Sequence, residues 1–324
     1  MKHALVTGGA GFIGSHLCER LLATGHRVSV LDDLSTGRYS NIEHLERNHN
    51  FHFYVDSVLN TALTEELIRA SDQVYHLASA VGVDLIVARP VHTIESIVDG
   101  TEVVLRSCNR YRRPVLVTST SEVYGKGAKI PFREEDDTVS GPTSRRRWAY
   151  ACAKALDEFL SLAYWYESRL PVRIARLFNT VGPRQTGQYG MVVPRFVQAA
   201  LAGKPVRVYG DGQQSRCFAH VQDIVDGLIS LMNCRAAEGQ VVNLGNEEEI
   251  TIEDLARRII DATGSSSPVE YVAYDDAYGP GFEDMQRRVP CLDKARELIG
   301  YKAVRGLSDI INDVTAEFRS RAEG

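Results

Sequence analysis

Ala4-Leu5-Val6-Thr7-Gly8-Gly9-Ala10-Gly11-Phe12-Ile13-Gly14-Ser15 decides the fold. Three apolar residues read as a buried strand, and glycines stand at 8, 11 and 14. Helical spacing runs from 15 to 24, with Leu17, Leu21 and Leu22 on one face and Gly25 closing it. Val28-Ser29-Val30-Leu31 is the next strand. In that order, strand, glycine loop, helix and strand let the backbone approach a pyrophosphate and aim a helix N-terminus at it. Asp32 ends the second strand, 18 residues beyond Gly14. A carboxylate there accepts hydrogen bonds from an adenosine ribose and repels a 2′-phosphate, so NAD is expected rather than NADP. Gly8, Gly11, Phe12, Ile13, Gly14 and Asp32 form the expected cofactor loop, with a plain tight turn as the alternative. Asp56 either meets the adenine or caps a turn.

Working outward, strands are expected at 51–55, 73–77, 115–118 and 172–177, and helices at 93–109 and 150–166. Strands spaced by helices predict a parallel sheet covered on both faces. After Phe178 the rhythm changes. Gly, Pro and Gln crowd 182–190, a short strand at 206–209 runs into Gly210-Asp211-Gly212, and helices follow at 222–232, 252–263, 293–299 and 307–318. The expected fold is α/β, a Rossmann-type doubly wound parallel sheet with a smaller C-terminal substrate-binding lobe. The sheet domain takes 1–179 and about 213–243, and the lobe about 180–212 and 244–324.

Composition narrows the class. The 324 residues are enough for two ordinary domains or one large one, and 44 % apolar with 24 % charged residues is the balance of a soluble globular protein. A net charge of −5 argues against a nucleic-acid surface. No apolar run approaches the roughly 18 residues needed to cross a bilayer, and the N-terminus lacks the apolar core of a signal peptide. Cysteines 18, 108, 152, 217, 234 and 291 are scattered, which disfavours a zinc site or a disulfide framework and suits reduced thiols in a cytoplasm.

Tyr150 and Lys154 stand four apart at the start of a helix and share a face. A tyrosine is a poor base at its reference pKa of about 10. A neighbouring ammonium and a positive nicotinamide ring both favour the phenolate, which then takes a proton from a sugar hydroxyl during hydride transfer. Thr118-Ser119-Thr120-Ser121-Glu122-Val123-Tyr124-Gly125 puts hydroxyls and a carboxylate at the C-terminal end of a strand, where ligands bind in open α/β sheets.

Together, Gly8-x-x-Gly11-x-x-Gly14, the segment ending Tyr124-Gly125, Tyr150-x-x-x-Lys154, Asn179 in Phe178-Asn179-Thr180-Val181-Gly182-Pro183-Arg184, and Val208-Tyr209-Gly210-Asp211-Gly212 resemble the extended short-chain dehydrogenases/reductases that act as nucleotide-sugar epimerases, dehydratases and decarboxylases. The resemblance implies Thr120 on the sugar O4, Tyr150 as base and Lys154 on the nicotinamide ribose. Leu77 and Ala78 join the cofactor contacts. Asn179, Val193, Tyr209, Arg216 and Arg288 would hold a UDP-sugar. Helices 93–109 and 150–166 would form a homodimer's four-helix bundle, with packing on the sheet as the alternative.

Thr120-Ser121-Glu122 is most similar to the UDP-glucuronate decarboxylases, as are Arg147-Trp148-Ala149-Tyr150 and Tyr278-Gly279-Pro280-Gly281-Phe282-Glu283-Asp284 with Arg287-Arg288-Val289-Pro290. By that resemblance Ser121, Glu122 and Arg288 surround a sugar carboxylate. The expected activity is C4 oxidation and loss of CO₂, giving a UDP-4-keto-pentose, UDP-xylose or both. A UDP-hexose or UDP-glucuronate 4-epimerase is the alternative, and a catalytically silent NAD-binding regulator a third reading. His76 is read as a buried structural histidine and His220 as packing or capping, Cys152 as unactivated, Arg145 and Arg146 as a solvated loop, and Trp148 as either pocket wall or filler.

Overall fold

The computed structural model describes residues 1–79, 90–187, 191–274, 276 and 285–323. Six of the expected strands and one unexpected strand, β11, form one parallel sheet in the order β11-β6-β5-β4-β1-β2-β3, while the strand expected at 206–209 pairs elsewhere. The sheet strands are β1 (His3–Thr7), β2 (Arg27–Asp32), β3 (Phe51–Val55), β4 (Gln73–His76), β5 (Val115–Thr120), β6 (Val172–Leu177) and β11 (Gln240–Leu244). The order reverses between β1 and β4, and that reversal opens the crevice in which ligands bind.

Helices cover both faces because the sheet is apolar on both. On one side α1 (Phe12–Ala23) and α6 (Val221–Asn233) bury Leu17, Leu21, Val225 and Leu228 against Val6, Val28 and Val30. On the other, α2 (Thr61–Ala70), α3 (Pro90–Tyr111) and α4 (Trp148–Ser168) cover Leu5, Val74, Val115 and Ile174. A third cluster builds the second lobe from α5 (Val192–Leu201), α7 (Ile252–Thr263) and α9 (Leu307–Glu323). The short strands there are β8 (Val206–Tyr209) with β13 (Val269–Val272), and β9 (Ser215–Cys217) between β12 (Glu249–Thr251) and β14 (Arg287–Arg288). Of the stretch from about 213 to 243, α6 and β11 join the large sheet, while β9 pairs within the lobe. Two remaining short strands, β7 (Thr180–Val181) and β10 (Ala219–His220), pair in parallel, and α8 (Asp293–Ile299) closes near β11.

The helix at 61–70, β11, the helix at 192–201 and the short strands of the second lobe other than β8 are not marked by sequence patterning, and the helix expected from 15 starts earlier. α1 begins at Phe12, before the apolar stripe, because its first turn belongs to the glycine loop and carries Gly14. The apolar run of β11 is broken by Gln240 and Asn243, and Asn243 is fully buried because it serves Tyr124 and the carbonyls of Phe132 and Cys291. α5 tolerates Pro194 because the proline lies in the first turn, where its missing N–H costs nothing.

Candidate active site

One cavity of about 600 Å³ lies over the C-terminal ends of β1, β4, β5 and β6 and under the second lobe. Gly8, Gly11, Phe12, Ile13, Gly14, Asp32, Asp56, Leu77 and Ala78 line its first part. Thr120, Ser121, Glu122, Tyr150 and Lys154 lie in its middle, and Asn179, Val193, Tyr209, Arg216 and Arg288 reach it from the second lobe side. Folding thus gathers every expected site residue onto one cavity. The 278–284 part of the quoted motifs lies outside the described residues.

The glycine loop fits a dinucleotide. A Cβ on Gly14 would sit 2.1 Å from the Gly8 oxygen, and one on Gly8 (φ 72°) 2.7 Å from Ala78 N. Only glycine leaves the backbone open there, and α1 starts from Gly11 with no side-chain cap competing for its N-terminal N–H groups. Asp32 accepts from Ala10 N at 2.9 Å and Leu34 N at 2.9 Å, which fixes its carboxylate beside the loop. Burial nevertheless pushes its pKa up. Asp56 follows the capping alternative, accepting from Ser57 N and Asn60 Nδ2, both at 2.7 Å, while still lining the cavity.

Thr120 ends β5, and its hydroxyl accepts from Glu122 N at 3.2 Å, which turns the chain sharply and points Ser121 and Glu122 into the crevice region. The turn is braced from behind. Ser119 donates to Glu158 at 2.5 Å, Arg176 grips the same carboxylate at 2.7 Å, and the Arg176 guanidinium covers the Tyr124 ring at 4.7 Å. The Tyr150 hydroxyl is hydrogen-bonded to Thr120.

Glu122 is the electrostatic centre. Its Oε1 lies 2.6 Å from Arg288 Nη2 and its Oε2 2.7 Å from Arg147 Nη1, with all three side chains largely buried. Despite burial, Arg288, then Arg147, hold its carboxyl down at about 2, with Arg216 adding to them. Arg288 also donates to Asn179 Oδ1 at 3.3 Å, and Asn179 Nδ2 donates to Cys217 O at 3.0 Å, so β14, β9 and the end of β6 are tied together at the site. Arg147, which the sequence reading placed in the decarboxylase-like Arg147-Trp148-Ala149-Tyr150 segment and left open to an anionic substrate, lines the site. The available signal was its place one helical turn before Tyr150, apart from Arg145 and Arg146, which are exposed.

Lys154 Nζ donates to Asp157 Oδ2 at 2.8 Å. Burial and then Glu122 push the Tyr150 phenol well above its ordinary range, Asp157 adds to them, and Thr120 and Arg288 pull the other way. His76 is buried and holds Thr7 Oγ1 at 2.8 Å and Thr101 Oγ1 at 3.2 Å; burial takes it down to about 3, so it is neutral. His220 caps α6 by accepting from Gln222 N and bonds Asp313 through its other nitrogen. Trp148 is 2 % exposed, and a Cβ on Gly141 would strike its Nε1 at 2.1 Å, so it fills a tight gap beneath Arg147.

The NAD dependent epimerase/dehydratase family matches residues 4–245. A UDP-N-acetyl-α-D-glucosaminuronate decarboxylase of Bacillus cytotoxicus is 41 % identical over 92 % of this chain and 91 % of its own length. UDP-glucuronic acid decarboxylase 1 of Xenopus tropicalis is 37 % identical over 99 % of this chain and 73 % of its own. An epimerase from the methanogen Methanothermobacter thermautotrophicus superimposes with a TM-score of 0.91 at 29 % identity, covering 99 % of this chain and 93 % of that one.

Proposed function

Because the chain belongs to the NAD-dependent epimerase/dehydratase family, we propose that it is a UDP-glucuronate decarboxylase working through a 4-keto sugar. The observation that carries this reading is Glu122 bracketed by Arg147 and Arg288 beside Tyr150 and Thr120. Two guanidiniums against one carboxylate leave a positive charge over, and a planar guanidinium fork suits a sugar carboxylate. When bound, NAD supplies the hydride acceptor for C4. The glycine loop and Asp32 would hold its adenosine and pyrophosphate, and Lys154 its nicotinamide ribose.

In this reading Tyr150 takes the C4 hydroxyl proton, with Thr120 on the same oxygen. Oxidised at C4, the uronate is a β-keto acid. Its C5–C6 bond breaks to release CO₂, and the electron pair moves onto the C4 oxygen, where Thr120 and Tyr150 stabilise the enolate. A proton then returns to C5. Glu122, ionised at neutral pH, serves as a brace that holds Arg288 and Arg147 rather than as the proton donor. Arg288 clamps the substrate carboxylate, since a guanidinium keeps its charge.

UDP-glucuronate and its 2-acetamido analogue share the C4 hydroxyl and the C6 carboxylate, and the relative from Bacillus cytotoxicus is named for the analogue. Both belong in the test. Purified protein with NAD and each UDP-uronate is assayed for CO₂ and the product solved by NMR. CO₂ with a UDP-pentose or its 4-ketone is the expected result. A C4-epimerised uronate without CO₂ would move the assignment to the 4-epimerase reading, and no turnover on either would leave an NAD-binding regulator.

A homodimer is part of the proposal. Leu156, Phe159 and Tyr166 on α4 share a face and stay exposed, as do Val91 and Ile94 on α3. Mass measurement in solution at twice the chain mass is expected. A reducing cytoplasm suits its six free cysteines; among the described residues no helix is long and apolar enough to cross a membrane.

A further inference from the structure

Lys154 brings its own counter-charge. Its ammonium donates to Asp157 Oδ2 at 2.8 Å, one turn further along α4, and the two side chains are 4 % and 1 % exposed. Thr101 of α3 faces the same carboxylate. The Thr101 hydroxyl lies 3.2 Å from His76 Nε2, His76 Nδ1 lies 2.8 Å from Thr7 Oγ1, and Thr7 Oγ1 accepts from Ala78 N at 3.2 Å. A buried polar chain therefore runs from the lysine to the glycine loop. The charges around it are few. Glu158 is engaged by Arg176 and Ser119, and His76 carries none at neutral pH. On the far side of Tyr150 stand Glu122 from the turn after β5, Arg147, and Arg288 from β14.

An ammonium has three donors. With one committed to Asp157, two remain on a side chain that lines the cavity, as many as a ribose diol accepts. The carboxylate also cancels much of the positive charge that would otherwise make the phenol a stronger acid. We propose that Asp157 is a positioning residue that orients Lys154 and, through its charge, sets the pH at which Tyr150 becomes a phenolate. The proposal rests on reading Tyr150 as the base.

The test reads that ionisation without any sugar. The ultraviolet phenolate absorbance of the NAD-loaded protein is titrated with pH, and the same titration of a Tyr150→Phe version in each background is subtracted. In Asp157→Asn the Tyr150 midpoint is expected to fall by about one pH unit, the scale of one charge at this range, and Asp157→Glu should return it toward the native value. An unchanged or higher midpoint in Asp157→Asn overturns the proposal. Should that variant not fold, Lys154→Met is compared with Lys154→Met/Asp157→Asn, in which no buried charge is left unpaired. The single change should raise the midpoint and the double change bring it back down; identical midpoints refute the role of Asp157. Since no substrate is used, this outcome is separable from the decarboxylation assay.

Discussion

Arg147 Nη1 lies 2.7 Å from Glu122 Oε2, which joins the N-cap of the Tyr150 helix to the turn that follows β5. The pair converts two distant stretches of sequence into one charged wall, completed by Arg288 on the other carboxylate oxygen. Substituting Arg147 by Lys keeps the charge and loses the fork. The expected result is a weaker hold on UDP-glucuronate, about tenfold in Kd, with UDP-glucose binding unchanged. Calorimetric titration of both sugars decides it, and an equal loss for both would take Arg147 away from the carboxylate.

Glu122→Gln leaves two guanidiniums facing an amide. Turnover should fall by at least about tenfold, and by more than substrate binding weakens, because both guanidiniums remain to attract the carboxylate but lose the brace that aligns them. The carboxyl is held down at about 2. Its stabilising contribution is therefore complete above the ordinary carboxylate range and is lost as pH falls through about 2. Urea unfolding at neutral pH should show the variant less stable, and the gap should shrink below about pH 4. A gap constant down to acid pH would show that ion pairing is not its source.

Tyr150→Phe keeps the ring and removes the proton acceptor. NADH formed on adding UDP-glucuronate should drop by about a hundredfold or more, with NAD still retained. Single-turnover absorbance is the measurement, and native-like rates would exclude Tyr150 as the base.

Gly14→Ala puts a methyl 2.1 Å from the Gly8 carbonyl oxygen, which is backbone and cannot step aside cheaply. The variant should lose NAD binding, and its unfolding free energy should be lower by an amount typical of overpacking, about 1–3 kcal/mol. Fluorescence titration with NAD checks this, with full affinity as the contrary outcome.

His76 is depressed to about 3 by burial, so an unfolded chain binds one more proton than the native one between that value and the ordinary histidine range. The contribution is intact above about pH 6.5 and declines as pH falls toward about 3. His76→Gln should flatten stability against pH in that window by about one proton's slope, roughly 1.4 kcal/mol per pH unit. Parallel curves for the two proteins would place the titration elsewhere.

The glycine loop, the alternation of strands and helices, and the Tyr150–Lys154 pair were legible because each is local: a turn needs particular backbone freedom, a strand a short apolar run, a helix a repeating face. The same locality gave NAD through Asp32 and marked Thr120, Ser121 and Glu122 as a strand-end cluster. Contacts across the chain are another matter. Arg147 and Arg288 are 141 positions apart and meet on one carboxylate; no spacing rule links them. Asp157 was one more helix residue until burial removed water and left Lys154 as its partner. The sequence by itself determined the folding pattern and the kind of cofactor, since these depend on near-neighbour geometry. Which charges neutralise one another, and so which groups remain free to act on a substrate, was decided only when the tertiary fold brought them out of water and within reach.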